Sequence, residues 1–445
     1  MPPQEPSILI VGAGTFGVST AWHLAKTYKD PSRVTIIDRD PSPPKPAAAI
    51  DINRIIRTDY ASPLYSNLSF TALHDWFWTH ELQSHFFKVG WLYINETGSD
   101  LAKDVRTTMK ARGSNLTEDV PLDKLHKRWD ALRDTNTDGY ESAYFNPEAG
   151  WCNASAATAS LMAAAEARGV KRVIGDVHEL ILDTQTGGIK SVCTSEGKHY
   201  QADKILLAVG AWTSATLSPL EDALDIPEQD RIEQQVKATG GVTAYYKVSG
   251  ADVDRLTDAE LPCVVLGEHG EVIPPSKDNN LIKYSNSSGT FTNTVTTASG
   301  KKITAPPVGR SQYDVPESIK RETEDLIVNK VMAEYTRGKT PEYWRICYDA
   351  VTPTEDWLLC RHPHEKLNNL FIVVGGSFHG YKFLPVAGKY VVNVLNGESN
   401  GEIMDQAWAW KKDVDWTKAT SKRIPRRELR DLDRKSTSHQ TQAKL

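Results

Sequence analysis

Residues 7–17 read SILIVGAGTFG and, with VTIID at residues 34–38, decide the fold. The apolar run before the first glycine is typical of a strand buried on both faces of a parallel sheet. Apolar residues then recur at helical spacing over residues 18–26, and the second apolar run predicts another strand. The sequence therefore predicts a strand, a glycine loop, a helix and a second strand, the unit that opens dinucleotide-binding domains.

The three glycines of this loop have separate roles in such a unit. Gly12 permits the tight turn, Gly14 lets the backbone approach a pyrophosphate, and Gly17 lets the helix pack closely on the strand. The phosphates lie at the helix N-terminus, where free N–H groups and the helix dipole favour an anion. Asp38 ends the second strand, where a carboxylate can hydrogen-bond a ribose. We expect further contacts with the same ligand from Thr15, Phe16 and Arg39.

Later strands favour FAD over NAD as that ligand. The chain does not continue with the regular βα units of an NAD dehydrogenase. Instead, two more apolar runs end in glycine: ILLAV at residues 205–209 before Gly210, and LFIVV at residues 370–374 before Gly375. Residues 205–212 resemble a strand and turn that glutathione-reductase-type flavoproteins place near their FAD. The candidate cofactor contacts in these later segments are Val177, Gly210, Trp212 and Gly376.

The predicted fold class is α/β. It combines a glutathione-reductase-type FAD-binding domain, with a Rossmann-like βαβ core, and a second, mostly antiparallel β-sheet domain for the substrate. We assign residues 1–60, 150–215 and 345–425 to the FAD-binding domain, 61–149 and 216–344 to the substrate domain, and 426–445 to a flexible C-terminal tail.

Composition excludes several classes of protein. The net charge of −5 gives no reason to expect nucleic acid or a membrane surface as a partner. No apolar run is long enough to cross a bilayer, and the first residues lack the features of a signal peptide. The five cysteines are dispersed, which argues against disulfides and against a metal site.

The last three residues, Ala443, Lys444 and Leu445, differ by one substitution from the Ser-Lys-Leu peroxisomal address. This ending predicts a peroxisomal import receptor as a partner and the peroxisome as the location. Without import, the protein would be cytoplasmic.

Four further segments carry chemical signals: DINRIIRTDY at 51–60, LIKYSNS at 281–287, WRICYDAVTP at 344–353 and GGSFHGYKF at 375–383. In these segments the chain resembles the family of monomeric sarcosine oxidases and fungal amadoriases (fructosyl amino acid oxidases). The resemblance is nearest to the fungal L-saccharopine and pipecolate oxidase branch and runs from Ser7 to about Trp410. It implies a monomeric flavoenzyme that oxidises amines.

The resemblance gives roles to the first segment. It implies that Arg54, with Asn53, lies against the flavin and that Arg57 pairs with a substrate carboxylate, a role that suits the planar guanidinium. Spacing alone favours two surface arginines on an edge strand or helix, and the resemblance reverses that interpretation. Tyr60 is a candidate catalytic residue and Asp59 a candidate substrate contact.

The second segment supplies Lys283, which by the resemblance lies over the flavin and promotes the reaction with O₂. A fixed positive charge stabilises the negative charge that develops on oxygen. Tyr284 and Ser287 are candidate substrate contacts, although relatives carry His or an acidic residue at the position of Ser287. Lys411 stands where amadoriases have a substrate-binding arginine, and both departures weaken the case for a sugar-amine substrate.

The last two segments concern the flavin and the substrate carboxylate. By the resemblance, Cys347 bonds covalently to the 8α-methyl carbon of FAD, although a lone cysteine is more often a small buried apolar residue. Lys382 helps hold the substrate carboxylate and also contacts the cofactor. Phe378 replaces a glycine of the family pattern. Further cofactor contacts are expected from Gly376, Phe378, His379 and Gly380.

The predicted function is oxidation of the C–N bond of an N-substituted (secondary or N-methyl) amino acid to an imine, with O₂ reduced to H₂O₂. Its small-molecule partners are the amine and O₂, and the cofactor carries the difficult step. Two alternatives remain open. One is a biosynthetic oxidase of a fungal alkaloid pathway that forms a cyclising iminium from an N-methyl aromatic amino acid. The other is a flavin dehydrogenase that uses an acceptor other than O₂, against which Lys283 argues.

Overall fold

The computed structural model describes residues 5–183, 185, 187–419, 421 and 423–434. None of its helices within these ranges is long and apolar enough to cross a membrane. The strands, in chain order, are β1 (Ile8–Val11), β2 (Val34–Asp38), β3 (Arg54–Ile56), β4 (Phe86–Phe87), β5 (Trp91–Glu96), β6 (Glu118–Asp119), β7 (Tyr140–Asn146), β8 (Gly150–Cys152), β9 (Lys171–Ile174), β10 (Val177–Leu182), β11 (Ile189–Thr194), β12 (His199–Tyr200), β13 (Lys204–Leu207), β14 (Lys237–Lys247), β15 (Cys263–Leu266), β16 (Gly270–Ile273), β17 (Leu281–Phe291), β18 (Thr294–Thr296), β19 (Lys302–Thr304), β20 (Tyr343–Val351), β21 (Leu358–Arg361) and β22 (Leu370–Val374). The α-helices are α1 (Thr15–Thr27), α2 (Pro63–Trp78), α3 (His80–Gln83), α4 (Leu101–Ala111), α5 (Leu125–Arg128), α6 (Ala154–Ala167), α7 (Thr213–Ala223), α8 (Ile232–Gln235), α9 (Gly250–Asp258), α10 (Glu317–Thr323), α11 (Ala387–Asn396) and α12 (Glu402–Trp408).

The first sheet has the strand order β21-β22-β13-β1-β2-β9. Its strand pairs are parallel except for β21 with β22. Ile8 and Ile10 of β1 pack with helices α1, α6 and α11, whereas Leu9 and Val11 pack on the other face with α7 and the β10-β11-β12 sheet. Both faces are covered, which explains why the strand sequences are continuously apolar. The predicted Rossmann-like core is confirmed.

The glycine loop fixes how α1 leaves β1. Gly12 has φ +105°, a backbone conformation that favours glycine. A Cβ atom on Gly17 would lie 1.8 Å from the carbonyl oxygen of Gly12, so α1 can approach the loop only if residue 17 has no side chain. This close packing aims the first turn of α1 at the carboxyl ends of the parallel strands.

The second sheet has the order β20-β14-β17-β16-β15-β5-β7-β6. All its pairs are antiparallel except β15 with β5, which confirms the predicted second sheet. The domain boundary placed at residue 345 needs a correction. Strand β20 pairs with β14 in one unbroken register and therefore belongs to this sheet, not to the first. The pairing satisfies the backbone groups of a strand that the sequence alone could not assign to either sheet.

The predicted tail also needs a correction up to residue 434. Leu429 and Leu432 are buried in a cluster with Phe291, and Glu428 forms a β-bridge with Thr292. Their spacing of three residues places both leucines on one face of the helical turn at 429–434. The segment is therefore packed against the second sheet. Residues 443–445, which carry the predicted peroxisomal address, lie outside the described residues.

Candidate active site

A cavity of about 370 Å³ extends from the carboxyl ends of β1, β2, β13 and β22 to one face of the second sheet. Ligands of open parallel sheets bind at this edge. The predicted site residues that line the cavity are Gly12, Gly14, Thr15, Phe16, Asp38, Arg39, Arg54, Arg57, Val177, Gly210, Trp212, Ser287, Cys347, Gly376, Phe378, His379, Gly380 and Lys382. Seven others do not line it: Gly17, Asn53, Asp59, Tyr60, Lys283, Tyr284 and Lys411.

The end of the cavity at the glycine loop fits a dinucleotide. A Cβ atom on Gly14 would meet no atom within 4 Å, so the backbone there is open to a ligand. The first turn of α1 has no side-chain cap, which leaves its N–H groups free for phosphate. Asp38 accepts hydrogen bonds from the N–H of Ala13 at 2.6 Å and of Arg39 at 2.7 Å, which fix its carboxylate where a ribose would bind. Burial raises the pKa of Asp38.

A buried carboxylate organises the cationic side of the cavity. Oδ2 of Asp51 lies 2.7 Å from Nζ of Lys283, 2.6 Å from Nη1 of Arg54 and 3.6 Å from Nη1 of Arg345. The hydroxyl of Tyr245 donates to Oδ1 at 2.9 Å. Burial alone would raise the pKa of Asp51, but the three cations outweigh it and lower that pKa. No motif predicted a role for Asp51; its one signal was its place three residues before Arg54.

Arg54 lines the cavity and reaches Cys347. Its Nη2 donates to the carbonyl oxygen of Ala48 at 2.7 Å and to Sγ of Cys347 at 3.3 Å. Burial would lower the pKa of Arg54, but Asp51 and then Cys347 raise it, so the guanidinium stays charged. The cysteine is buried, and its sulfur lies at the cavity wall beside a fixed positive charge.

Lys283 and Asn53 lie one layer behind the cavity wall. The Lys283 ammonium also donates to the carbonyl oxygen of Asn53 at 3.1 Å. Burial lowers the pKa of Lys283, and Asp51 opposes that shift. The resemblance places Lys283 over the flavin through a water and Asn53 against the flavin; in the structure neither residue lines the cavity itself. Lys283 lies on the same face of β17 as the lining residues Ser285 and Ser287, and Asp51 holds its ammonium.

At the opposite end, Arg57 and Lys382 supply two cationic side chains. The guanidinium of Arg57 stacks over Tyr60 at 4.7 Å and over Trp91 at 5.0 Å. It also donates to the backbone carbonyl oxygen of Asp59. Nζ of Lys382 donates to the Tyr60 hydroxyl at 2.9 Å. Burial, followed by Arg57 and Arg423, lowers the pKa of Lys382 well below its usual value.

His379 and Tyr60 form a chain that orients Lys382. Nε2 of His379 lies 2.9 Å from the carbonyl oxygen of Glu355, which can only accept, so Nε2 carries the proton. Nδ1 then accepts from the Tyr60 hydroxyl at 3.1 Å, and that hydroxyl oxygen accepts from Lys382. Burial lowers the pKa of His379 well below 6.5, and the ring is neutral. Tyr60 is thus a support for the lysine and not a lining residue.

Three predicted substrate contacts are corrected by their positions. Asp59 is buried and accepts hydrogen bonds from Tyr144 at 3.2 Å and Asn146 at 2.7 Å. Tyr284 alternates with Lys283 along β17, so it points to the opposite face and donates to the carbonyl oxygen of Val331 at 3.2 Å. Lys411 bonds through its backbone N–H to Gln235 at 2.7 Å, away from the cavity.

Five charged residues line the cavity that were not predicted to do so: Lys45, Asp176, Glu271, Asp349 and Arg423. Glu271 of β16 and Arg423 of the C-terminal segment both face the cavity. Neither Glu271 nor Arg423 belongs to a motif. Cross-strand pairing brings in Glu271, and packing of the C-terminal segment brings in Arg423. No group of three or more His, Cys, Asp or Glu side chains in the described ranges is placed to hold a metal ion.

The fold and the cavity define a class: an FAD-dependent oxidoreductase whose cofactor domain is joined to a substrate-binding sheet. A family model described as FAD dependent oxidoreductase (DAO) matches residues 7–394, and the chain belongs to this family. The predicted FAD dependence and enzyme class are confirmed.

Individual proteins agree with the predicted resemblance. The chain is 28% identical over 436 residues to L-saccharopine oxidase of Schizosaccharomyces pombe, covering 92% of this chain and 93% of that protein. It is 26% identical over 405 residues to monomeric sarcosine oxidase of Bacillus sp., covering 89% and 94%. The crystal structure of the fructosamine oxidase Amadoriase II from Aspergillus fumigatus has the same fold, with a TM-score of 0.80 at 23% identity over 94% of this chain and 93% of that one. The resemblance to this group is confirmed.

Proposed function

We propose that this protein oxidises the C–N bond of an N-substituted amino acid to an imine and passes the electrons to O₂. The observation that carries the proposal is that Arg57 and Lys382 line the same cavity as the glycine loop. Bound FAD would supply the two-electron chemistry. The amine loses two electrons and two protons as its C–N single bond becomes a double bond, and O₂ takes up both as H₂O₂.

The protein's own contribution is to bind and orient the amino acid. Arg57, stacked between Tyr60 and Trp91, offers a fixed guanidinium plane to the carboxylate. Lys382 faces the same part of the cavity, and an anion bound beside it raises the pKa of its ammonium against the effect of burial. Two anchors on one carboxylate restrict how the adjacent C–H bond can point.

The positive charge of Arg54 and Lys283 favours O₂ as the electron acceptor. Arg54 reaches the cavity, while Lys283 stands behind it on the same carboxylate oxygen. A fixed, water-excluded positive charge stabilises the negative charge that develops on oxygen. This favours an oxidase over a dehydrogenase that uses a different acceptor.

We also propose that FAD is attached covalently to Cys347. Cys347 lines the cavity, and its sulfur lies 3.3 Å from Nη2 of Arg54. In the attachment, the thiol S–H and one C–H of the flavin 8α-methyl group are replaced by an S–C bond. O₂ takes up the two electrons and two protons as H₂O₂.

The remaining proposals concern the cell. The ending Ala443-Lys444-Leu445 supports import into peroxisomes by a receptor, where H₂O₂ is handled. A fusion to a fluorescent protein should lose peroxisomal localisation when Leu445 is removed. We expect the enzyme to act as a monomer, which light scattering of the holoenzyme would establish.

The function is tested by mixing the holoenzyme with candidate amines under anaerobic conditions and following the loss of flavin absorbance. We expect bleaching by N-methyl or other secondary amino acids, none by fructosyl amino acids, and one H₂O₂ per amine when air is admitted. Arg57→Leu should weaken the response to amino acids, while exposed Arg361→Leu serves as the control. If no amine bleaches the flavin, or if bleached enzyme stays reduced in air, the proposal is wrong.

A further inference from the structure

Three tyrosines form a continuous series of ring contacts between the cavity wall and the protein surface. Tyr245 of β14 lies opposite Tyr343 of β20, and their rings are stacked with 4.1 Å between centroids and 22° between planes. The ring of Tyr343 meets that of Tyr313 edge to face at 5.8 Å. Tyr245 is 0% exposed, Tyr343 is half-buried and Tyr313 is 56% exposed. The series therefore begins in the interior and ends in contact with solvent.

The inner end of the series is bonded to the cavity wall. The hydroxyl of Thr243, which lines the cavity, donates to the hydroxyl of Tyr245 at 3.1 Å. The Tyr245 hydroxyl itself donates to Oδ1 of Asp51 at 2.9 Å, and Oδ2 of the same carboxylate pairs with Arg54 at the wall. A base within hydrogen-bond reach can accept a proton directly. Tyr245 thus has, beside the cavity, a fixed acceptor for its phenol proton.

The outer end is held in place although it is exposed. The N–H of Ile346 donates to the carbonyl oxygen of Gln312 at 2.7 Å, and Nε of Arg345 donates to the Gln312 side chain at 3.1 Å. These bonds tie the segment that carries Tyr313 to β20, the strand that carries Tyr343. Ring packing alone would be served equally well by phenylalanine, whereas a phenol can also give up an electron together with its proton. All three positions carry a side chain that can transfer an electron.

We propose that Tyr313, Tyr343 and Tyr245 conduct single electrons from the surface to oxygen radicals formed in the cavity and thereby protect the site from oxidation. A perhydroxyl radical, the product of one-electron reduction of O₂, takes up one electron and one proton from water and becomes H₂O₂. Tyr245 gives the electron while its phenol proton moves to Asp51; an electron from Tyr343 then restores Tyr245, and the proton returns. Tyr343 is restored by Tyr313, which releases its phenol proton to water. A thiol or ascorbate in solution gives a hydrogen atom to the Tyr313 radical and ends the sequence.

The path is tested with the holoenzyme and blue light, in the absence of oxygen and of any amine. Light makes bound flavin a one-electron oxidant, so the missing electron is placed at the cavity without turnover. The nitrone spin trap DMPO adds to tyrosyl radicals, and mass spectrometry of the digested protein locates its adducts. Tyr343→Phe interrupts the series while Tyr313 stays exposed, and half-buried Tyr140→Phe is the control.

We expect a DMPO adduct on Tyr313 in the wild type and in Tyr140→Phe, and its loss in Tyr343→Phe. The fold should persist in these variants, because phenylalanine keeps the ring. In Tyr313→Phe the series has no surface end, so the adduct should move to Tyr343. Absence of an adduct on Tyr313 in the wild type would overturn the path. Its persistence in Tyr343→Phe would do the same, because direct oxidation of an exposed tyrosine does not need Tyr343.

The protective role rests on the proposed function and is tested separately, during turnover of an amine in air. Tyr343→Phe should become inactive after fewer turnovers than the wild type and Tyr140→Phe, because radicals in the cavity then persist. Equal numbers of turnovers would overturn the protective role. Failure of every amine to reduce the flavin would overturn the proposed function, whereas the light experiment needs only bound FAD.

Discussion

The ammonium of Lys283 and the carboxylate of Asp51 form an ion pair that is closed off from solvent, with 2.7 Å between Nζ and Oδ2. Their side chains are 0% and 1% exposed. Oδ2 of Asp51 also pairs with the guanidinium of Arg54, so one carboxylate holds both the lysine behind the cavity wall and the arginine that lines it. The position of the cationic wall thus depends on Asp51, a residue that does not itself line the cavity.

Asp51→Asn should destabilise the protein by about 3–5 kcal/mol, because it leaves several buried cations without a counter-charge. The free energy of unfolding by urea measures the effect. Asp100→Asn, which breaks an exposed ion pair with Lys103, is the control and should leave that free energy unchanged within error.

The same variant has a pH signature. The pKa of Asp51 is lowered in the folded protein, so its contribution to stability is present above the unfolded pKa of about 4 and is lost as pH falls. The difference in stability between wild type and Asp51→Asn should therefore shrink as the pH is lowered below about 4. A difference that stays constant down to the acid transition would contradict this assignment.

Cys347→Ser should abolish the proposed covalent attachment while the fold persists, because serine is smaller and has no nucleophilic thiolate. After acid denaturation, the yellow colour should stay with the wild-type protein and leave the variant. Half-buried Cys193→Ser is the matched control, since this cysteine does not line the cavity. Release of flavin from wild type by acid alone would show that the bond is absent.

Lys382 should make carboxylate binding depend on pH. Burial lowers its pKa, and the side chain binds an anion only when protonated, so affinity is highest below that pKa and falls about tenfold per pH unit above it. Propionate, which has no amine to titrate, is a suitable probe, followed by its effect on flavin absorbance. In Lys382→Arg the guanidinium stays charged, so the affinity for propionate should no longer fall as the pH rises. If the affinity for propionate falls equally with pH in wild type and variant, a group other than Lys382 is responsible.

Gly17→Ala should lower stability by about 3 kcal/mol and reduce the fraction of protein that retains FAD, because the new Cβ overlaps the carbonyl oxygen of Gly12. Thermal unfolding and the ratio of flavin to protein absorbance report the two effects. Gly250→Ala is the control, since its Cβ would meet nothing within 4 Å. Normal stability and flavin content in Gly17→Ala would contradict this prediction. They would mean that α1 can move away from the Gly12 carbonyl without weakening the fold or the binding of FAD.

The first sheet was predictable because its signals are local. The run from residue 7 to residue 38 carries its apolar strands, its glycines and its acidic end within one βαβ unit, and each of these features has a direct structural reason. Strand β20 was misassigned because its membership depends on pairing with β14, about a hundred residues earlier in the chain. Sequence patterns indicate that a strand exists but not which distant strand it joins.

The candidate site shows the same contrast between residues that local motifs predict and residues that long-range packing brings in. Arg57, Cys347 and Lys382 lie in motifs and reach the cavity. The prediction that Tyr284 contacts the substrate was wrong, because neighbouring residues of a strand face opposite sides of the sheet. Lys283 is on the cavity side, so Tyr284 is on the other side. Glu271 and Arg423 come to the cavity through a cross-strand register and a C-terminal segment, which no local pattern encodes.

The strand order of the first sheet has a consequence for biosynthesis. Strand β13 is central, yet its second neighbour, β22, ends only at residue 374. At a synthesis rate of about 5–20 residues per second, the ribosome needs on the order of 10 s to produce the residues between the two strands. During that interval β13 has an unpaired edge and apolar side chains, a state prone to aggregation. Chaperones that bind nascent chains therefore have a defined segment to protect, and the yield of active enzyme should depend on them.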